Sequence, residues 1–335
     1  MIRQGWFAAA TLLLAGCGSK GPVGPTTTAP QIACPVDVTV AGITGSEQPV
    51  TFPPPTVTGG SPPVTVTCTQ SSGTSFPLGT TSVSCTASDA AARQAACAFK
   101  VRLTALILGA TKYDAVGDSL TQGENALPQP SFIDTPNAYP TKLQALFDAT
   151  YPNQGIAVVN HGAGSERIER THELLPGYLN ADRPQAVLLF GGYNNLTSPC
   201  EVGRANSRDC RDAIDFVAIG IRDCIREIKE SPVGVKYIFV STLTPPGSVA
   251  PASKDRRIDG EAIMEVNRRI RQVITSEAAT LVDSYPLFIG HEAEYISIDG
   301  LHLLPDGYQA ITDAFFTAIK STVPQTPLSF VSRLR

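Results

Sequence analysis

The 335-residue chain has no excess of basic charge, no apolar run long enough to cross a bilayer, no Cys-x-x-Cys pair and no glycine-rich loop with a phosphate-binding lysine. Each absence removes a class of function. A net charge of -4 and a pI near 5.6 leave no electrostatic footprint for nucleic acid. Without Cys-x-x-Cys spacing, the eight cysteines do not read as a zinc centre. No run of His, Cys, Asp and Glu has metal-site spacing, so neither metal nor cofactor is expected. What remains is an ordinary globular composition, 42% hydrophobic and 17% charged. The length fits two domains.

Arg3 is followed by an apolar run from Trp6 to Leu14 and then by Leu14-Ala15-Gly16-Cys17. The run is too short for a mature transmembrane helix and reads as a secretory signal. Small residues before a cysteine resemble the bacterial lipobox. That resemblance implies a signal peptide over 1–16 and a lipidated Cys17 as the membrane anchor. Several acyl chains on one residue hold stably where one holds only marginally. Gly18, rather than Asp, after the cysteine points by the same logic to the cell envelope, at the outer membrane or cell surface. Residues 17–33 are rich in Gly, Ser, Pro and Thr and read as a flexible tether.

Residues 34–104 read as a small all-β domain. Val38–Val40, Val50–Phe52, Val64–Thr67, Ser82–Ser84 and Ala98–Val101 are β-branched or alternating, with Pro- and Gly-rich breaks between them. An antiparallel sandwich of this size benefits from disulfide staples. Cys34, Cys68, Cys85 and Cys97 suit two bridges, with three connectivities open. Ser72–Asp89, Cys34-Pro35 and Cys97-x-Phe99-x-Val101 resemble the hyalin-repeat (HYR) module, which implies an immunoglobulin-like fold. Ala91–Gln94 departs from it, because the module usually has a Gly-Asn turn there. Such modules are associated with adhesion; a spacer between membrane and enzyme is the plainer role.

The junction Thr104–Ala110 is apolar, unlike a free hinge, and predicts packing between the domains. From 105 to 335, strands alternate with amphipathic helices, the pattern of a parallel sheet covered on both faces. The expected strands are Tyr113–Gly117, Ile156–Asn160, Ala186–Gly191, Tyr237–Thr242 and Ala279–Asp283. The expected helices are Tyr139–Thr150, Ser207–Lys229, Gly260–Ser276 and Pro305–Lys320. Cys200 and Cys210 are the expected pair here, with Cys224 buried and free.

Four motifs fall at strand ends or before the last helix: Gly117-Asp118-Ser119-Leu120, Asn160-His161-Gly162-Ala163-Gly164, Gly191-Gly192-Tyr193-Asn194-Asn195 and Asp299-Gly300-Leu301-His302. In a parallel sheet these points share one edge. A serine hydroxyl needs a base, and an imidazole needs a carboxylate to hold its tautomer. His302 and Asp299 supply both from one loop. Glycine N–H groups and an asparagine amide are the donors a tetrahedral oxyanion requires. His161 is expected beside the cleft, His172 and His291 in solvent or at caps, and Asp118 as a brace for nearby backbone.

This set resembles the SGNH/GDSL hydrolase superfamily over residues 112–321. The resemblance implies a three-layer α/β/α sandwich with a five-stranded parallel, flavodoxin-like sheet. By position it makes Ser119 the nucleophile, Asp299 and His302 its partners, and Ser119, Gly162 and Asn194 the oxyanion donors. Two positions depart from the family: Asn195 stands where Asp is frequent, and Ser165 stands where the second glycine usually falls.

The expected activity is ester hydrolysis through an acyl-enzyme. The insertions Glu124–Asn137 and Pro245–Asp259 mix proline with polar residues and hold few large apolar side chains, which points to a small acyl group or a polar alcohol, and the expected surface anchor suits short-acyl esters of extracellular or envelope carbohydrate. Two alternatives stand beside this: a lysophospholipase or lipase, and a non-catalytic adhesion or glycan-binding surface lipoprotein. The complete triad weighs against the second.

Overall fold

The computed structural model describes residues 28–126, 132–247 and 258–328. Residues 1–27, with the signal, Cys17 and the tether as far as 27, lie outside the described residues, as do 127–131 and 248–257 within the two insertions; the last predicted tether residues, Gln31–Ala33, form a paired strand instead. Among the described residues, no helix is long and apolar enough to cross a membrane.

The chain forms two compact units. The smaller holds the described residues up to Asp37 with Thr51–Thr74 and Ser82–Lys100. Strand Gln31–Ala33 pairs antiparallel with Thr56–Thr58, and Thr65–Cys68 pairs with Cys85–Ser88. Two disulfides staple it, Cys34–Cys97 and Cys68–Cys85. Phe52 packs edge-on against Phe99 at 4.9 Å. The expected strand at Val50–Phe52 is displaced, because pairing takes Glu47–Pro49 instead. In the loop that departs from the module's pattern, Asp89 is the organiser. Its carboxylate accepts the N–H groups of Ser61, Ala91 and Arg93 and pairs with the Arg93 side chain at 2.7 Å. Ala92, at φ 58°, takes the left-handed turn that glycine would favour.

The larger unit takes in Val38–Val50, Ser75–Thr81 and the chain from Val101 onward. Strand Val38–Ile43 joins it by parallel pairing with Val101–Ala105. Within this unit Leu106–Leu108, from the apolar junction stretch, pair antiparallel with Gln325–Pro327.

The centre of this unit is a parallel sheet of five strands. They are β1 (Lys112–Gly117), β2 (Ala157–Gly162), β3 (Ala186–Phe190), β4 (Tyr237–Ser241) and β5 (Thr280–Val282). The order is 2-1-3-4-5, the doubly wound arrangement whose switch point lies between β1 and β3. All five residues of β3 are buried, as a strand covered on both faces requires.

The helices that carry or cover the sheet are α1 (Ser119–Gln122), α2 (Tyr139–Thr150), α3 (Ile168–Asp182), α4 (Arg208–Glu230), α5 (Gly260–Ser276) and α6 (Pro305–Thr322), with the single turns Tyr285–Phe288 and Glu292–Tyr295 between β5 and α6. Helices α2 and α6 pack together on one face, where the Tyr139 and Phe315 rings stack at 5.0 Å. Helices α3, α4 and α5 cover the other. Ser207 caps α4 by accepting the Cys210 N–H at 3.1 Å. Ile214, Val217, Ile221, Cys224, Ile225 and Ile228 form its buried stripe. The free Cys224 is therefore a core residue, and Cys200–Cys210 ties the preceding loop to the first turn. Helix α3 has no counterpart in the sequence reading, because Pro176 and Gly177 break its pattern in the middle.

Candidate active site

Strand β1 delivers Ser119. At Gly117 a Cβ would lie 1.9 Å from the Phe190 carbonyl oxygen, so only glycine lets β1 turn this close to β3. Asp118 caps α1 by accepting the Leu120 N–H at 3.1 Å. Gly123, at φ 97°, closes the helix by donating its N–H to the Ser119 carbonyl at 3.0 Å. Ser119 is thus held in a four-residue helix at the carboxyl end of a central strand, and is 3% exposed.

The loop before α6 delivers the base. Ser297 donates its N–H to the His302 carbonyl at 2.7 Å, and Gly300 turns the chain at φ 75°. Asp299 Oδ1 accepts the Leu301 and His302 N–H groups at 3.1 and 3.0 Å. Its Oδ2 lies 2.6 Å from His302 Nδ1. A carboxylate only accepts, so Nδ1 carries the proton and Nε2 presents its lone pair. Ser119 Oγ meets Nε2 at 2.9 Å. Burial pushes the Asp299 carboxyl up, but the His302 ring and the two N–H groups together hold it below its ordinary value. The result is an ionised acid, an oriented base and a hydroxyl in one line, across 183 residues of sequence.

The predicted oxyanion donors fare differently. Asn194 sits in the turn Tyr193–Asn195 after β3. Asp118 Oδ2 ties that turn to the serine by accepting the Gly192 and Tyr193 N–H groups at 3.2 and 3.4 Å. Burial pushes the Asp118 carboxyl up to about 6, against the pull of these backbone donors. Asn194 Nδ2 donates to the Glu166 carbonyl at 2.9 Å, which leaves its second N–H available.

Gly162 has a single N–H, and it donates to Asn160 Oδ1 at 2.9 Å. The expectation of a free donor there is not met. Gly162 serves packing instead: a Cβ would lie 2.1 Å from Gln122 N and 2.5 Å from the Thr121 carbonyl carbon. It is Gly164 whose Cβ position comes within 3.7 Å of Glu124 Oε2 at the site. Ser165 follows at φ 61° in the left-handed region.

Asn195 faces away from the reaction centre. Its Oδ1 accepts the Ile168 N–H at 3.0 Å, and its Nδ2 donates to Glu169 Oε2 at 2.8 Å. An aspartate here would set two carboxylates against each other, which accounts for the amide in this chain. His161 is not on the cleft. It stacks on Tyr178 at 4.0 Å and meets Asp182 Oδ2 at 2.7 Å, with Asp114 beyond. Burial, reinforced by the Asp182 charge, pushes the Asp114 carboxyl up to about 7. His291 pairs with Glu294 at 3.2 Å.

One residue of the site escaped the sequence reading. Glu124 Oε2 stands 3.4 Å from His302 Nε2. Its backbone is held by pairing with Ile133 and by the Tyr308 hydroxyl, which donates to the Glu124 carbonyl at 2.6 Å. The available signal was its place immediately after the serine helix.

Residues 115–310 match the model of the GDSL-like lipase/acylhydrolase family, and residues 25–103 match the HYR domain. The chain is 26% identical over 216 residues to the spore germination lipase of Bacillus licheniformis, covering 60% of this chain and 93% of that one. An acetylxylan esterase from Geobacillus stearothermophilus superposes with a TM-score of 0.48 and 21% identity, over 63% of this chain and 95% of its own. An α/β hydrolase from the metagenome of Lake Arreo, Spain, gives 0.45 and 19%, over 64% and 97%. The family model spans more than half of the sequence, and the chain is a carboxylic ester hydrolase belonging to the GDSL-like lipase/acylhydrolase family.

Proposed function

We propose that the enzyme removes short acyl groups, acetyl foremost, from esters of extracellular or envelope carbohydrate, through an acyl-enzyme on Ser119. The observation that carries the mechanism is the line Ser119 Oγ–His302 Nε2–Asp299, with gaps of 2.9 and 2.6 Å. Ser119 attacks the ester carbonyl while His302 Nε2 takes its proton. Asp299 stabilises the imidazolium that forms. The Ser119 N–H and the spare N–H of Asn194 receive the oxyanion. Collapse expels the alkoxide, which takes the proton back from His302. A water, deprotonated by the same nitrogen, then attacks the acyl carbon, and Ser119 leaves with that proton.

The alcohol side is argued from charge. The Glu124 carboxylate beside His302 Nε2 disfavours an anionic alcohol such as a phosphate headgroup, and can accept from a sugar hydroxyl. One observation favours longer acyl chains: Phe132 and Ile133, in the strand paired with Glu124–Asn125, are 41% and 43% exposed. A panel of p-nitrophenyl esters from acetate to palmitate, set beside acetylated polysaccharide, tests the reading. A preference for palmitate over acetate would overturn it. Fluorophosphonate labelling, followed by intact mass, tests the serine itself; wild type should label and Ser119→Ala should not.

The anchor is proposed on Leu14-Ala15-Gly16-Cys17 alone. Incorporation of labelled fatty acid, abolished in Cys17→Ser, would support an envelope lipoprotein with the HYR domain as spacer.

A further inference from the structure

Away from the catalytic line, three side chains from distant parts of the chain converge between the sheet and α3. Asp114 lies mid-way along β1, and His161 near the end of β2. The register pairs Val159 with Asp114 and His161 with Val116, so Asp114 and His161 point to the same face of the sheet. Asp182 is the last residue of α3, which covers β1. His161 Nε2 stands 2.7 Å from Asp182 Oδ2 and 3.9 Å from Asp114 Oδ2. One ligand atom from each of the three lies within 4.8 Å of the others.

Two features separate this cluster from an ordinary buried pair. The Asp114 side chain is only 1% exposed, yet its Oδ2 has no hydrogen-bond partner among the described residues. Buried polar atoms are normally satisfied, so an orphan aimed at a histidine and a second carboxylate calls for a ligand. The His161 ring is also fixed in orientation by stacking on Tyr178, with an interplanar angle of 14°. On the outer side, His161 and Asp182 are 16% and 29% exposed at the side chain, which leaves a path of entry.

We propose that Asp114, His161 and Asp182 bind a divalent transition-metal ion, for which Zn²⁺ is the best match. One imidazole nitrogen and two carboxylates are a common zinc donor set, and solvent can supply a fourth position. Calcium and magnesium need more oxygen ligands than the cluster offers. The ion displaces the His161–Asp182 hydrogen bond and gives Asp114 Oδ2 its missing partner. It clamps β1, which carries Ser119, to α3, and takes no part in ester cleavage.

The test is zinc titration by calorimetry on the full chain after chelator treatment, with thermal melts alongside. Wild type should bind a single equivalent at this site and melt higher with zinc. Asp114→Asn and His161→Gln should each lose that equivalent. Asp182→Asn, at the more exposed position, repeats the test should either of those fail to fold. His302→Ala should keep the equivalent, which separates the cluster from the His302–Asp299–Glu124 group. No zinc uptake by wild type overturns the proposal, as does loss of the equivalent in His302→Ala with retention in the cluster variants. Fluorophosphonate labelling of the metal-free protein should be unchanged, so either result leaves the esterase reading to its own tests.

Discussion

Glu124 Oε2 lies 3.4 Å from His302 Nε2, the nitrogen that also meets Ser119 Oγ at 2.9 Å. A negative charge therefore stands where the leaving alcohol must collect its proton. Glu124→Gln removes the charge and keeps the shape. The variant should raise kcat/KM for esters of anionic alcohols relative to neutral ones by up to about 10³, the scale of the roughly 4 kcal/mol between two unit charges ~4 Å apart near a protein surface. Paired assays on a lysophospholipid and an acetylated neutral sugar read the ratio, and an unchanged ratio would show that Glu124 does not select the alcohol.

The reacting groups should separate by magnitude. Ser119→Ala is expected to lower kcat by a factor on the order of 10⁴–10⁶, as in other serine triads. Asn194→Ala is expected to cost roughly 10²–10³, the scale of one oxyanion donor. Full activity in either variant would refute its assigned role.

Gly162→Ala offers a contrast, because alanine keeps the backbone N–H. A donor role would survive the change, but the new Cβ would sit 2.1 Å from Gln122 N. Stability should therefore fall, by about 1–3 kcal/mol as for other overpacked sites. Denaturant unfolding measures it. A variant as stable as wild type would mean that α1 yields at this contact.

Asn195→Asp should destabilise the larger unit at neutral pH by about 1–3 kcal/mol, since a carboxylate would replace the amide that donates to Glu169. Adding Glu169→Gln should restore most of the loss, because the new amide can donate in turn to the introduced carboxylate. A double-mutant cycle that shows no coupling between the two positions would refute the pairing.

Asp89 makes a pH prediction. The Ser61 N–H, followed by Arg93, lowers its carboxyl to about 2, with burial opposing. An unfolded aspartate titrates at about 3.9. The folded value is the lower one, so the stabilisation is complete above the unfolded value and drains away as pH falls through about 2. Melting wild type beside Asp89→Asn from neutral to acid pH should show a gap that closes over this window. A gap that widens toward acid would mean the shift has the opposite sign.

Much of this molecule is legible in one dimension. Helices Tyr139–Thr150 and Gly260–Ser276 appear with the bounds their periodicity predicts. Strands Ala186–Phe190 and Tyr237–Ser241 end within a residue of expectation. The failures have local causes. Pro176 and Gly177 hide α3, whose helical state is held by packing against β1 and α4. Val50–Phe52 has the composition of a strand, but the pairing register falls on Glu47–Pro49.

The sequence by itself determined the five sheet strands and the long helices other than α3, the cysteine pairs open to each half and the residues Ser119, Asp299 and His302, because each depends on local periodicity or on chemistry that few residue types can perform. Tertiary structure alone decided what each polar group faces. It committed the Gly162 N–H to Asn160, turned His161 from the cleft toward Asp182, and brought Glu124 against His302. It also gathered Asp114, His161 and Asp182 from two strands and a helix. Motif spacing could not foresee that cluster, because a parallel sheet sets neighbours by register between strands that are remote in sequence.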